Sequence, residues 1–265
     1  MQITLVQGIL LAVAAMIIGV DFWLEALFIF NPLIVATVAG IILGDVKTGV
    51  MGGAICALAF MGLTPAGGTQ PPNPVLAGFM TVVIAHTAQV DVTVSFGLSL
   101  PFSIMMQYII LLFYSGFSFF MPWADKAADN ADTGAMARLN ILLTGIVALS
   151  YGVIVFLSVY AAQDAIKALV EVMPEWLTHG LDVAGGMLPA VGFGLLLTVM
   201  MKTKYIPFLI VGFLIANFIP MENLLPVALI GAAFGLYDFF SAKARDDAIK
   251  AAGKGGVTGG SGRGI

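Results

Sequence analysis

Four uncharged hydrogen-bonding side chains, Thr64, Thr69, Gln70 and Asn73, lie within the fifteen residues Phe60 to Pro74, alongside four prolines and three glycines. Threonine, glutamine and asparagine each donate and accept hydrogen bonds. That suits the hydroxyl and amide groups of a neutral sugar, whereas an ion would call for carboxylates or rings of carbonyls. Proline lacks an N–H and clashes with the preceding turn, and glycine adds backbone freedom, so a helix cannot continue through this stretch. The same residues would also punctuate a plain exposed loop. Two carboxylates, Asp21 and Glu25, join the candidates, because ionisable groups placed in or near apolar segments are costly and default to functional roles. Glu25 is the deeper of the two by position.

Catalytic and metal chemistry find no comparable support. There is no GxxxxGK[ST] phosphate loop and no serine in a nucleophile elbow. His86 and His179 are far apart and neither has a partner ligand at i+4, so no metal site is expected. Asp125, Asp129 and Asp132 lack the central glycine and terminal glutamate of a calcium loop, which leaves a solvated surface. No cofactor is expected, and the basic residues are too few and scattered for nucleic acid.

The setting of these residues is a membrane. The chain is 60% hydrophobic and only 10% charged, with a mean hydropathy of +1.04; soluble domains are about 25% charged. The apolar runs are helical in length rather than ten-residue alternating strands, so the expected fold is an all-α, polytopic integral membrane protein with broken or re-entrant helices. In hydrocarbon an open backbone is tolerated only where protein or a water-filled cavity satisfies it, which is why the Phe60 to Pro74 break reads as a binding site. Met1-Gln2-Ile3-Thr4 has no basic leader, so no cleaved signal peptide is expected. The single cysteine, Cys56, excludes an internal disulfide and reads as a packing residue.

In order, Ile3 to Val20 and Phe22 to Gly44 are each long enough to span. Val50 to Leu63 and Val75 to Val90 are short and flank the break; the former is expected to be re-entrant. Pro101 is expected to kink or divide Val94 to Met121, and Gly185-Gly186 with Pro189 to make Leu181 to Met201 irregular. Leu139 to Ala162 spans. Gln163 to Thr178 has an apolar face at helical spacing and should be an interfacial helix ended by Pro174. Tyr205 to Met221 and Leu224 to Phe240 form a final hairpin. Residues 1–240 are thus expected to be the membrane domain and 241–265 a cytoplasmic, disordered tail. The positive-inside rule places Lys126, Arg138, Lys202, Lys204 and the five basic residues after Phe240 in the cytoplasm, and it favours Lys47 and the N-terminus there too. Gln163 to Thr178 then faces outward.

Three further stretches carry a resemblance: Leu43-Gly44-Asp45-Val46-Lys47-Thr48-Gly49, Ala124 to Asn130, and Gly180 to Met187. With them the chain resembles, up to its tail, the IIC component of the mannose/fructose/sorbose class of the bacterial phosphoenolpyruvate-dependent sugar phosphotransferase system. Asp21 to Leu27, Leu63 to Pro74 and Met173 to Gly180 look like its N-acetylgalactosamine/galactosamine branch. The resemblance implies a sugar permease of the bacterial inner membrane that pairs with a IID subunit, the pairs assembling as a trimer. It also implies that soluble IIA and IIB proteins carry the phosphoryl group, so this subunit is not itself the enzyme. Where the family commonly has a glutamate after its Gly-Gly pair, this chain has Ala57. The readings that compete are an ion-coupled secondary transporter, which needs a membrane-buried ion site, and a non-transporting scaffold or receptor.

Overall fold

A computed structural model of the chain describes residues 2–63, 71–161, 163–218 and 225–255. Eleven α-helices appear among them: α1 Leu5–Leu24, α2 Pro32–Leu43, α3 Val46–Phe60, α4 Pro74–Ala88, α5 Val92–Phe117, α6 Met121–Asp129, α7 Thr133–Phe156, α8 Gln163–Val172, α9 Glu175–Met200, α10 Ile206–Phe218 and α11 Leu225–Gly255. No strand occurs among the described residues. Residues through Val199 form one compact unit, and those from Met200 onward a second. By length and composition, Leu5–Leu24, Val92–Asp129, Thr133–Tyr160, Glu175–Met200 and Leu225–Arg245 can each cross a membrane.

A capping box starts α1, with Thr4 Oγ1 accepting from Gln7 N–H and Gln7 Oε1 accepting from Thr4 N–H. The helix runs on through Asp21, Phe22 and Trp23 and ends at Glu25, whose φ is +48°. The expected second span, Phe22 to Gly44, is therefore corrected. Its first residues finish α1, a turn follows, and α2 is only 12 residues long, about 18 Å at 1.5 Å per residue. Asn31 and Pro32 make an efficient new start, the asparagine Oδ1 accepting from Leu33 N–H at 2.9 Å.

The α2–α3 hairpin is held at backbone contact. A Cβ on Gly49 would lie 2.8 Å from the Ala36 carbonyl oxygen and 2.9 Å from Gly40 Cα, so only small residues allow the approach. Asp45 caps α3 through Thr48, accepting from its N–H at 3.1 Å and its hydroxyl at 2.6 Å. The hydroxyl bond above all holds the Asp45 carboxyl below its ordinary value. From Pro74 through Thr87 every residue of α4 is buried, against α2, α3 and α5. This short helix is the centre of the unit.

Neither internal proline interrupts its helix. Helices α5 and α9 continue through Pro101 and Pro189, so Pro101 does not divide its segment. Each proline frees the carbonyl four residues earlier, at Gly97 and Gly185. Those two glycines sit at the crossing of the two helices, Gly97 against Leu181 and Gly185 against Thr93. Residues 175–178, expected to end the interfacial helix, instead begin α9, with Leu177 and Thr178 N–H donating to the Pro174 carbonyl. Within α8, Ile166 is buried and Asp164 exposed. At the other end α11 carries on past Phe240 to Gly255, so the expected tail begins as helix.

Helices α1 and α7 run antiparallel along their length. Gly8 lies against Phe156 and Tyr160, Met16 against Gly152, and Gly19 against Tyr151. Ile3 N–H donates to Gln163 Oε1 at 2.8 Å, and Gln7 Nε2 donates to the Ile42 carbonyl at 3.4 Å. The N-terminal end, the Gly44–Lys47 turn and α8 are thus together at one end of the unit. The Lys126–Arg138 hairpin is at the other, with Trp23. The expectation that the N-terminus and Lys47 share a face with Lys126 and Arg138 does not survive this pairing: two antiparallel spans put them on opposite sides.

Helices α3 and α4 lie antiparallel, with Cys56 beside Thr81 and Gly52 against Thr81 and Val82. α3 leaves the Lys47 end, and α4 returns to it, touching α8. The segment expected to be re-entrant, α3, is thus followed by an equally short helix that runs back toward the end where α3 began.

Candidate functional site

Thr64, Thr69 and Gln70 lie outside the described residues. Asn73, at the end of the break, is described in full. It caps α4, its Oδ1 accepting from Leu76 N–H at 2.9 Å. The cap fixes the amide's orientation, so the nitrogen must point the other way, and Nδ2 donates to the Tyr151 hydroxyl at 2.6 Å. Its backbone is tied as well. Asn73 N–H donates to the Ser103 carbonyl at 3.1 Å, while Ser103 Oγ donates to the Asn73 carbonyl at 2.7 Å. Asn73 is 1% exposed, and Ser103 and Tyr151 are fully buried. In this conformation Asn73 fastens the break to α5 and α7 and does not present its amide to a ligand.

A seam of neutral polar groups continues from this clamp between α3, α4 and α5. Thr81 Oγ1 donates to the Ala77 carbonyl at 2.7 Å and lies 3.1 Å from Ser99 Oγ, and the Cys56 thiol lies 3.3 Å from it. Ser95, Ser99 and Ser103 recur every four residues on the face of α5 that meets α4, all fully buried. Every group in the seam is uncharged and hydrogen-bonded, which suits holding neutral polar surface in a dry interior. No cluster of three metal-ligating side chains occurs among the described residues.

No hydrogen bond joins either carboxylate to the clamp among the described residues. Asp21 is 5% exposed, and both its oxygens are engaged by the turn that follows α1: Oδ1 accepts from Leu27 N–H at 2.6 Å, and Oδ2 accepts from Ile29 at 2.7 Å and Phe30 at 3.4 Å. It satisfies backbone donors that would otherwise be stranded. Glu25 is exposed at the left-handed end of α1. Nearby, Trp23, Tyr114, Phe117 and Met121 line a cavity of about 540 Å³ whose polar groups are Ser118, Asn140 and Thr144.

A family model described as the PTS system sorbose-specific IIC component matches residues 5–237. The chain belongs to this family. An N-acetylgalactosamine permease IIC component of Escherichia coli K12 is 59% identical over 247 residues, 93% of this chain and 92% of that protein. A mannose-specific EIIC component of the same strain is 28% identical, covering 89% of each chain. Among solved structures, one described as a membrane protein superposes with a TM-score of 0.79 at 27% identity, covering 90% of this chain and 96% of the other. A cryo-EM structure of the mannose transporter ManYZ in complex with a microcin gives a TM-score of 0.58 at 26% identity, over the same shares.

As a IIC component, the chain is a multi-pass permease of the bacterial inner membrane in a system that couples sugar import to phosphorylation. IIC components work with other subunits of that system. Sequence reasoning missed Tyr151, Ser103 and Gly19, the residues that hold the break from other helices. The serine repeat on α5 is visible in the sequence. The other two give no signal there, because a tyrosine or glycine within an apolar segment reads as packing.

Proposed function

We propose that this IIC chain conducts an amino sugar, N-acetylgalactosamine or galactosamine, to the cytoplasmic mouth of a complex formed with a IID subunit. There a IIB protein, charged by IIA, phosphorylates it. The observation that carries this reading is the α3–break–α4 pair, a re-entrant backbone opened by prolines and flanked by neutral hydrogen-bonding groups in a buried setting. The 59% identity to an N-acetylgalactosamine permease supports the choice of sugar. Thr64, Thr69 and Gln70 bind the sugar in this proposal, with Asn73 anchoring them; Asp21 and Glu25 shape the neighbouring turn.

The complex is read as a trimer of IIC–IID pairs. The clusters Lys126 with Arg138 and Lys202 with Lys204 face the cytoplasm, together with the five basic residues after Phe240, and the N-terminus, Lys47 and α8 face outward. Residues 1–240 hold the membrane domain and 241–265 the cytoplasmic extension.

The test is uptake of labelled N-acetylgalactosamine, galactosamine and mannose by cells lacking other permeases, with and without IID. Recovery of an amino-sugar phosphate only when IID and IIB are present is expected. Accumulation of free sugar driven by an ion gradient, by this chain alone, would overturn the proposal in favour of secondary transport.

A further inference from the structure

The cavity beside Trp23 is walled by α1, α5, α6 and α7, all of them parts of segments that can cross a membrane. We propose that it is a lipid site, which holds an acyl chain and the ester group of one phosphatidylethanolamine molecule from the surrounding bilayer. Its depth matches that ligand. The Lys126–Arg138 hairpin joins two membrane-crossing segments, Val92–Asp129 and Thr133–Tyr160, and so lies at the membrane boundary. On α7 the lining begins at Met136, one turn in from Thr133, and reaches Thr144, about 12 Å deeper at 1.5 Å per residue. The polar layer of a bilayer is about 5 to 8 Å thick on each side, so the cavity covers the level of the ester groups and the upper acyl chain. Trp23 stacks on Tyr114 at 5.1 Å and meets Phe117 edge-on at 5.8 Å, an aromatic wall of the kind found at that level.

The hydrogen-bonding capacity of the cavity is one-sided. Thr144 Oγ1 donates to Asn140 Oδ1 at 3.2 Å, and Ser118 Oγ donates to the Ser115 carbonyl, so both hydroxyl protons are engaged. The Asn140 amide nitrogen keeps two N–H groups without a partner among the described residues. A sugar presents donors and acceptors on every side, and most would go unmatched against Phe117, Leu139 and Leu143. A fatty ester brings an acceptor carbonyl for the Asn140 N–H and a long chain for the apolar wall.

The rim selects the headgroup. Asp125 follows the lining residue Ala124 and Arg138 precedes Leu139, with Lys126 and Asp129 exposed on the same hairpin. With Asp132, three carboxylates stand beside two cations, so a purely anionic headgroup meets a net charge of its own sign. A zwitterionic headgroup suits both signs, its phosphate going to Lys126 and Arg138 and its ammonium to Asp125 and Asp129. The ethanolamine ammonium also donates hydrogen bonds to carboxylates, which the trimethylated group of choline cannot.

The experiment is native mass spectrometry of this chain co-purified with IID, delipidated and then supplied with dioleoyl phosphatidylethanolamine, phosphatidylglycerol or phosphatidylcholine. The parent complex should retain phosphatidylethanolamine several-fold better than the other two. Leu143→Trp fills the cavity and should abolish that preference. Asn140→Leu removes the N–H donor and keeps the wall apolar, so retention should weaken about 2- to 12-fold, the factor for one net hydrogen bond, with the lipid-free melting midpoint unchanged. Equal retention of the three lipids by the parent would overturn the proposal. So would parent-like retention in Asn140→Leu, which decides alone if Leu143→Trp does not fold. Loss of IID from a folded Leu143→Trp chain that still prefers phosphatidylethanolamine would assign the cavity to the partner and overturn it as well.

Discussion

Removing the Asp21 carboxylate should weaken the fold without weakening sugar recognition. The residue is 5% exposed and accepts two short backbone hydrogen bonds, from Leu27 at 2.6 Å and Ile29 at 2.7 Å, plus a long one from Phe30 at 3.4 Å. The turn it closes contains two non-glycine residues in the left-handed region, Glu25 at +48° and Phe28 at +58°, and each conformation is unfavourable by roughly 1 to 2 kcal/mol. Hydrogen bonds to a charged group contribute about 1.5 to 3 kcal/mol apiece. Counting only the two short ones, Asp21→Ala should cost roughly 3 to 6 kcal/mol. Asp21→Asn keeps one acceptor oxygen and turns an NH2 toward an N–H, so it should lose at least half as much. At about 2 to 4 °C per kcal/mol for a chain of this size, the alanine variant should melt on the order of 10 °C lower. The assay is the thermal midpoint of the detergent-solubilised IIC–IID complex by fluorescence-detected size exclusion, paired with uptake KM in cells. A drop in midpoint graded from asparagine to alanine, with KM unchanged per folded complex, is expected. Midpoints within a degree of the parent, or a KM raised tenfold, would refute the reasoning and return Asp21 to the sugar.

Two further predictions concern orientation and packing. A cysteine replacing exposed Gln2, in a Cys56→Ala background, should react with a membrane-impermeant maleimide from outside intact cells. One replacing exposed Ala128 should react only after permeabilisation, and the same accessibility for both would break the antiparallel α1–α7 pairing. In the adjacent pair, Gly185→Ala should lose about 1 to 3 kcal/mol by overpacking, since its Cβ would lie 2.5 Å from the Thr93 carbonyl oxygen. Gly186→Ala meets nothing within 4 Å and should be neutral or stabilise by up to about 1 kcal/mol. Equal melting midpoints for the two would contradict the α5–α9 crossing.

Composition and segment length made the all-α membrane class and the re-entrant α3 readable, because those depend on local chemistry alone. The stretch Phe60 to Pro74 announced itself for the same reason. Proline was a poorer guide. Pro101 and Pro189 resemble the breaking prolines in sequence, yet each sits in a continuous helix, with Gly97 and Gly185 at a close approach of α5 and α9. Asp21 looked like a ligand because it is a carboxylate near an apolar segment; only the fold shows three N–H groups converging on it. The expectation that the N-terminus shares a face with Lys126 and Arg138 rested on Lys47 alone, a weak charge signal, whereas the antiparallel α1–α7 pairing puts the two groups at opposite ends of the unit. The partnership of Asn73 with Tyr151 is a long-range pairing that no spacing rule encodes.

Sugar protection of the broken segment is the most direct measurement of all. With Cys56 replaced by alanine, a cysteine at Thr69 or Gln70 is titrated with a thiol reagent in membranes containing IIC and IID, with and without saturating N-acetylgalactosamine. The sugar should slow modification at one or both positions several-fold, while an equal concentration of mannitol leaves it unchanged. Modification at the same rate in the presence and absence of N-acetylgalactosamine, at both positions, would contradict a sugar site in the Phe60 to Pro74 segment.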